Sequence, residues 1–259
     1  MWYNFFGDVM LIDSHCHVLS SEYENVDDVL SLVFKSETKK IIISGFDVKS
    51  SMEAIKIASK NENVYASIGI GPENIDDYSD DNFKVISDLA KCDKVVAIGE
   101  IGLDYYWTTD NKDKQKLIFS KMLQLAKDNK LPVVVHSRDS IYDTYELLKK
   151  YKVNGIMHCY SGSYEMARKF IDLGFLIGVG GIVTFRNSKK IKEIVEKLDL
   201  CNISLETDSP YLTPEPYRGI KNTPCNISLI ASKIAEIKSV SFEEVSEITG
   251  HNVMAKFDL

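Results

Sequence analysis

The feature that most constrains this chain is a repeat of form without a repeat of sequence. Eight short apolar runs recur along it: VMLID (9–13), KIIIS (40–44), NVYASIG (63–69), KVVAIG (94–99), PVVVH (132–136), NGIMH (154–158), FLIGVG (175–180) and NISLE (202–206). Runs this short, this apolar and this rich in β-branched residues suit strands buried on both faces, as in a parallel sheet. The stretches between them read as helices. In NKDKQKLIFSKMLQLAKDNK (111–130), Leu117, Ile118, Met122 and Leu125 fall at helical spacing. SMEAIKIASKN (51–61), SYEMARKFIDLG (163–174) and SKKIKEIVEKL (188–198) follow suit. Eight strands alternating with helices predict an α/β chain folded as a (β/α)8 TIM barrel rather than an open doubly wound sheet. No low-complexity linker divides the 259 residues, so one barrel domain is expected over residues 10–259, with residues 1–9 as an N-terminal extension. The tail from Ser241 to Leu259 reads as two short closing helices.

Composition narrows the setting. The net charge of −7 argues against broad adhesion to nucleic acid or anionic membranes, although a local basic groove is compatible with it. Five cysteines with no CxxC pair point to a reducing compartment. The N-terminus lacks the basic region of a signal peptide, and no apolar run reaches the roughly 20 residues of a spanning helix. A soluble, cytoplasmic monomer without a membrane or obligate protein partner is the expectation.

The polar residues are placed unevenly. In a strand, residues two apart share a side, so His15 and His17 converge while Cys16 points away. Both histidines are read as lying just past a strand end. Glu100 follows KVVAIG, His136 ends PVVVH, His158 ends NGIMH, and Thr207 and Asp208 follow NISLE. In a barrel of this class the C-terminal strand ends share one face, which holds the active site. Any one of these histidines, His136 for example, is explained by ordinary core packing; ligand-type residues at five strand ends together are not. His15, His17, Glu100, His136, His158 and Asp208 therefore form a metal-ligand set. Six candidates exceed one tetrahedral shell and point to two divalent ions, a spacing of ~3.5–4 Å being typical of such pairs. His15, His17, Glu100 and Asp208 are assigned to one ion, and Glu100, His136 and His158 to the other. Glu100 would bridge, Asp208 would also take a proton from the nucleophilic water, and Glu206 would orient a ligand from behind. Histidine and carboxylate ligands suit Zn²⁺ and Mn²⁺, while Mg²⁺ prefers oxygen and water.

Seven segments carry a resemblance: DSHCH (13–17), GEIGLDYYW (99–107), HSRDS (136–140), HCYSG (158–162), GGIVTF (180–185), LETDSPYLTP (205–214) and RGIKNTP (218–224). In order and spacing they resemble the TatD family of metal-dependent deoxyribonucleases, from about Met10 to Leu259. The resemblance implies a TIM barrel, divalent metals held by the six residues above, and phosphodiester hydrolysis at DNA ends. Only four of the 31 basic residues are arginine, and Arg138, Arg186 and Arg218 follow strand runs on the expected active face, whereas Arg168 sits mid-helix. Guanidinium forks suit phosphate oxygens. Lys221 and Asn222 extend the Arg218 segment, and Tyr105, Tyr106 and Trp107 offer aromatic faces for a base. Two features depart from the family pattern: Gly71 stands where a histidine is common, and residues 1–9 precede the usual start. Two other functions compete with a nuclease. One is an ester or amide hydrolase of the amidohydrolase type, acting for example on an aminoacyl ester; Glu100, where many such enzymes carry a modified lysine, weighs against it. The other is a non-catalytic nucleic-acid- or metal-binding protein, against which the intact ligand set weighs.

Overall fold

The computed structural model describes residues 10–259; the expected extension, residues 1–9, lies outside them. Eight parallel strands form a single sheet in the order of the chain. They are β1 (Leu11–Cys16), β2 (Thr38–Ser44), β3 (Val64–Ile68), β4 (Val95–Asp104), β5 (Val133–Arg138), β6 (Gly155–Met157), β7 (Phe175–Val179) and β8 (Ile203–Leu205). The alternating helices are α1 (Val26–Val33), α2 (Val48–Ala58), α3 (Asp80–Leu89), α4 (Lys112–Asn129), α5 (Ile141–Tyr151), α6 (Tyr164–Asp172), α7 (Lys189–Lys197) and α8 (Ile227–Lys238), with α9 (Phe242–Phe257) closing the chain. The expected single-domain TIM barrel is what forms. Among the described residues, no helix is long and apolar enough to cross a membrane.

The strand sequences explain the layering. Ile41, Ile43, Val133 and Val135 face the helices and join their apolar stripes in one large core. The residues between them, Ile42 and Val134, turn inward with Ile12, Ala97, Ile156 and Leu176 to form a second cluster, sealed by Val253 and Phe257 of α9. Side chains assist the barrel's closure between its last and first strands. Ser14 Oγ donates to the Leu205 carbonyl at 2.9 Å, and the Thr207 amide donates to Asp13 Oδ1 at 2.9 Å.

Three local expectations are corrected. The tail is one helix, not two. Gly250 lies inside α9 because a Cβ there would collide with the Met10 carbonyl; the glycine permits close approach rather than ending the helix. Leu117, expected on the buried stripe of α4, is 57% exposed, and Phe119 and Leu123 pack in its place. Three strands also outrun their apolar runs. β1 runs on through His15 to Cys16, β5 runs past His136 to Arg138, and β4 passes through Glu100 to Asp104. Backbone pairing carries β4 onward, with Gly102 opposite His136 and Asp104 opposite Arg138 after an irregularity between Ile98 and Ile101. Gly102 has φ +149 and lies so close to the His136 carbonyl that no side chain fits.

Candidate metal centre

The irregularity in β4 aims Glu100 at the barrel axis, where histidines from three other strands meet it. His15 Nε2 lies 3.4 Å from Glu100 Oε2 and 3.6 Å from Asp208 Oδ1. His17 Nε2 stands at 3.5 and 3.6 Å from the same two oxygens. His136 Nδ1 is 2.9 Å from Glu100 Oε1, and His158 Nε2 is 3.7 Å from Asp208 Oδ1. All six residues expected from the sequence are thus brought together. Cys16 points away, with its thiol directed at the Ile42 carbonyl. Asp208 adopts φ +53, a left-handed conformation that aspartate tolerates better than most residues, and its amide donates to the His15 carbonyl at 3.0 Å.

Three of the four imidazoles are hydrogen-bonded from behind, and the fourth has a carboxylate beside it. His17 Nδ1 donates to the Ser44 carbonyl at 2.9 Å, which leaves the Nε2 lone pair facing the centre. His15 Nδ1 meets Ser44 Oγ at 3.0 Å. His136 Nε2 donates to Asp104 Oδ2 at 2.8 Å, and His158 Nδ1 lies 3.2 Å from Glu206 Oε1. Glu206 is fully buried, with its carboxylate beside the His158 imidazole. Ser44 and Asp104 were missed. A serine closing an apolar run carries little signal, and Asp104 is betrayed only by its pairing opposite Arg138, which is not visible in the linear sequence. Asp13 was missed as well: fully buried, it accepts from the Thr207 amide and hydroxyl and so fixes the segment carrying Asp208. Burial raises its carboxyl to about 7 despite those bonds.

The electrostatics match a cation receptor. Burial disfavours the charged form of Glu100, yet hydrogen bonds from His136 and His15 hold it well below the usual carboxylate range. Asp208 is likewise lowered, with burial outweighed by His158 and His17. Burial opposes protonation of His136 and His158, but Asp104 and Glu100 lift the first to about 9, and Glu206 and Asp208 lift the second to about 10. Burial and the neighbouring His158 lower His15. The donor set itself tests the fit of a metal. His15 Nε2 and His17 Nε2 face each other at 3.1 Å, with carboxylate oxygens beside them. Lone pairs converging in this way suit a divalent cation. His15, His17 and Glu100 form one potential ligand group, and Glu100, His136 and His158 another.

The centre floors a cavity of about 740 Å³, lined also by Phe46, Gly71, Glu73, Arg138, Cys159 and Tyr211. The residues expected to bind substrate divide sharply. Arg138 lines the cavity; Arg186, Arg218 and Lys221 do not, and all three are exposed. Arg218 lies over the Phe185 ring at 4.3 Å, while Lys221 donates to the Glu22 carbonyl at 2.6 Å. Tyr105 is buried, and its hydroxyl donates to Asp143 Oδ2 at 2.8 Å, away from the cavity. Trp107 is 68% exposed beside the mouth, its indole donating to Glu73 Oε1 at 3.2 Å. Asn222 is fully buried and ties Thr207 to Tyr211 through their carbonyls.

A TIM barrel carrying this site at the C-terminal strand ends defines a metal-dependent hydrolase. Residues 12–258 match the family model described as TatD related DNase, and the chain belongs to that family. It is 38% identical over 252 residues to the uncharacterized metal-dependent hydrolase YabD of Bacillus subtilis, covering 96% of this chain and 99% of the relative. The metal-dependent hydrolase YcfH of Escherichia coli, likewise uncharacterized, is 35% identical over 258 residues, with 97% of each chain covered. The crystal structure of YjjV, a TatD homolog from E. coli, superposes with a TM-score of 0.90 at 27% identity, over 98% of this chain and all of that one.

Proposed function

We propose that this chain hydrolyses phosphodiester bonds at DNA ends, using two divalent cations of the Mg²⁺, Mn²⁺ or Zn²⁺ kind. The observation that carries this reading is the sharing of Glu100. Its Oε2 faces His15 and His17, while its Oε1 faces His136, so one carboxylate joins two ligand groups. His15, His17, Glu100 and Asp208 would hold one ion, and Glu100, His136 and His158 the other. Such ions, when bound, acidify a water and neutralise charge on the reacting phosphate. Asp208 turns Oδ1 to the imidazoles, and its Oδ2 takes the proton of the attacking water. Asp104 holds His136 in the tautomer and orientation that ligation needs, and Glu206 sets a buried carboxylate 3.2 Å from His158 Nδ1. Arg138 offers guanidinium donors to phosphate oxygens at the cavity mouth. Arg186, Arg218 and Lys221 lie outside the cavity and are suited to steering a longer strand. The depth of the centre within a cavity favours an end over the middle of a duplex.

The test is digestion of end-labelled single- and double-stranded DNA, with EDTA and then with each metal, beside Asp208→Asn. Stepwise shortening that requires both metal and Asp208 is expected. Metal-loaded protein that cleaves neither substrate would transfer the reading to carboxylic esters or amides.

A further inference from the structure

Arg138 differs from the other three arginines of the chain. It is half-buried, whereas Arg168, Arg186 and Arg218 are exposed. Its guanidinium makes no hydrogen bond or ion pair among the described residues, although it lines a cavity whose floor is acidic. It is held by stacking instead. Its carbon lies 3.6 Å from the centre of the Tyr106 ring and 5.4 Å from Trp107. Those two rings meet edge to face at 4.9 Å, and neither lines the cavity, so both back the guanidinium from outside. A stacked guanidinium keeps its N–H edge free for an anion.

The backing is tied to the metal centre. Asp104 Oδ1 accepts the Tyr106 amide at 2.9 Å, while Oδ2 accepts His136 Nε2 at 2.8 Å. The Tyr105 amide donates to the Arg138 carbonyl at 2.9 Å. One carboxylate therefore sets both a candidate ligand and the turn that carries the stacking ring. Arg138 lies two residues beyond His136 on β5, roughly 6.6 Å further out. We infer that Tyr106 is a positioning residue that holds the Arg138 guanidinium at the cavity mouth for a second phosphate, next along the strand from the one cleaved. This rests on the phosphodiester reading above. It sets a substrate preference for chains with at least two consecutive phosphates over an isolated diester.

The test uses metal-loaded protein and two probes. One is bis(4-nitrophenyl) phosphate, which has a single phosphate. The other is a fluorescent single-stranded oligodeoxynucleotide with phosphorothioate linkages for binding and ordinary linkages for turnover. Tyr106 is 54% exposed, so Tyr106→Ala is expected to weaken oligonucleotide binding about two- to fivefold, the scale of an exposed cation–π contact, and to flatten its salt dependence by about one phosphate contact. Tyr106→Phe and Tyr106→Trp should restore both. Arg138→Ala should show the same loss, and the double variant should lose no more than Arg138→Ala alone. The ratio of oligonucleotide to small-diester kcat/KM should fall in Tyr106→Ala. Binding and salt slope equal to wild type in Tyr106→Ala would overturn the inference. So would additive losses in the double variant, or a Tyr106→Phe protein as impaired as Tyr106→Ala. Wild-type protein that cleaves neither probe sinks the phosphodiester reading instead, and the binding comparison still judges Tyr106.

Discussion

The inside of the barrel holds two layers that differ by a step of two residues. On β5 the lower layer has Val134 and the upper has His136; on β6 and just beyond it, Ile156 is followed by His158; on β2, Ile42 is followed by Ser44. On β7, Leu176 is followed by Gly178, whose missing side chain leaves room for the Glu206 carboxylate. The lower layer is a dry plug under α9. The upper one is a buried polar assembly in which some atoms, among them Ser67 Oγ, Ser204 Oγ and Glu206 Oε2, make no hydrogen bond among the described residues. Neighbouring positions on one strand face, with the same backbone, thus serve opposite ends, and depth along the barrel axis separates stability from chemistry.

Paired substitutions on one strand test that separation. His158→Ala should reduce turnover on the order of 10³-fold while the thermal transition stays cooperative. Ile156→Ala should do the reverse, losing roughly 2–5 kcal/mol of stability with near-normal turnover per folded molecule. Similar activity losses in both would erase the distinction between layers.

A smaller effect is expected one step behind the ligands. Asp104→Asn keeps the shape of the side chain but removes the charge opposite His136, and metal affinity measured by competition with a chelator should fall by about 10–100-fold. No change would confine Asp104 to the turn.

Protonation gives the next contrast. Without metal, the folded-state pKa values of His136 and His158 lie above the ordinary 6.5, at about 9 and about 10. Their ion pairs stabilise the metal-free chain fully below pH 6.5, and that contribution is lost as pH rises through 9 and 10. Metal binding must displace the same protons, so affinity should rise with pH across this window. Thermal scans of metal-free and metal-loaded protein between pH 6 and 9 should therefore diverge as pH rises. Parallel curves would mean that neither imidazole exchanges its proton for metal.

The smallest effect concerns the rim. Gly71 has an ordinary φ of −73, and a Cβ there would meet Phe46 no closer than 3.4 Å. Gly71→His should therefore change stability by no more than about 0.5 kcal/mol; a larger loss would show that the backbone needs glycine at the mouth.

The sequence made the barrel and the upper layer's ligands legible for the same reason. Apolar runs mark strands, and a histidine or acid ending such a run marks the polar face. What stayed hidden depends on register between strands. Asp104 meets His136 only because β4 continues past Glu100. Tyr105 and Tyr106 are indistinguishable in YYW, yet one packs against Asp143 and the other against Arg138, because β4 ends at Asp104 and the chain bends at Tyr106, whose amide turns back to Asp104 Oδ1. Arg186 and Arg218 follow strand runs like Arg138, but only Arg138 lies on the strand itself and so reaches the cavity.

The join between the first and last strands has a consequence for how the protein comes to exist. Asp13 and His15 meet Thr207 and Asp208 across nearly the whole length of the chain, a separation of 194 residues for the Asp13–Thr207 pair. A ribosome delivers His15 and His17 early and Asp208 late. Until the eighth strand docks, the histidines have no Asp208 and no Thr207 to hold Asp13, so a nascent or truncated chain lacks a finished cation site. Hydrolytic capacity therefore arrives only with completed synthesis, and a cation bridging the two ends would act as a clasp on the closed ring.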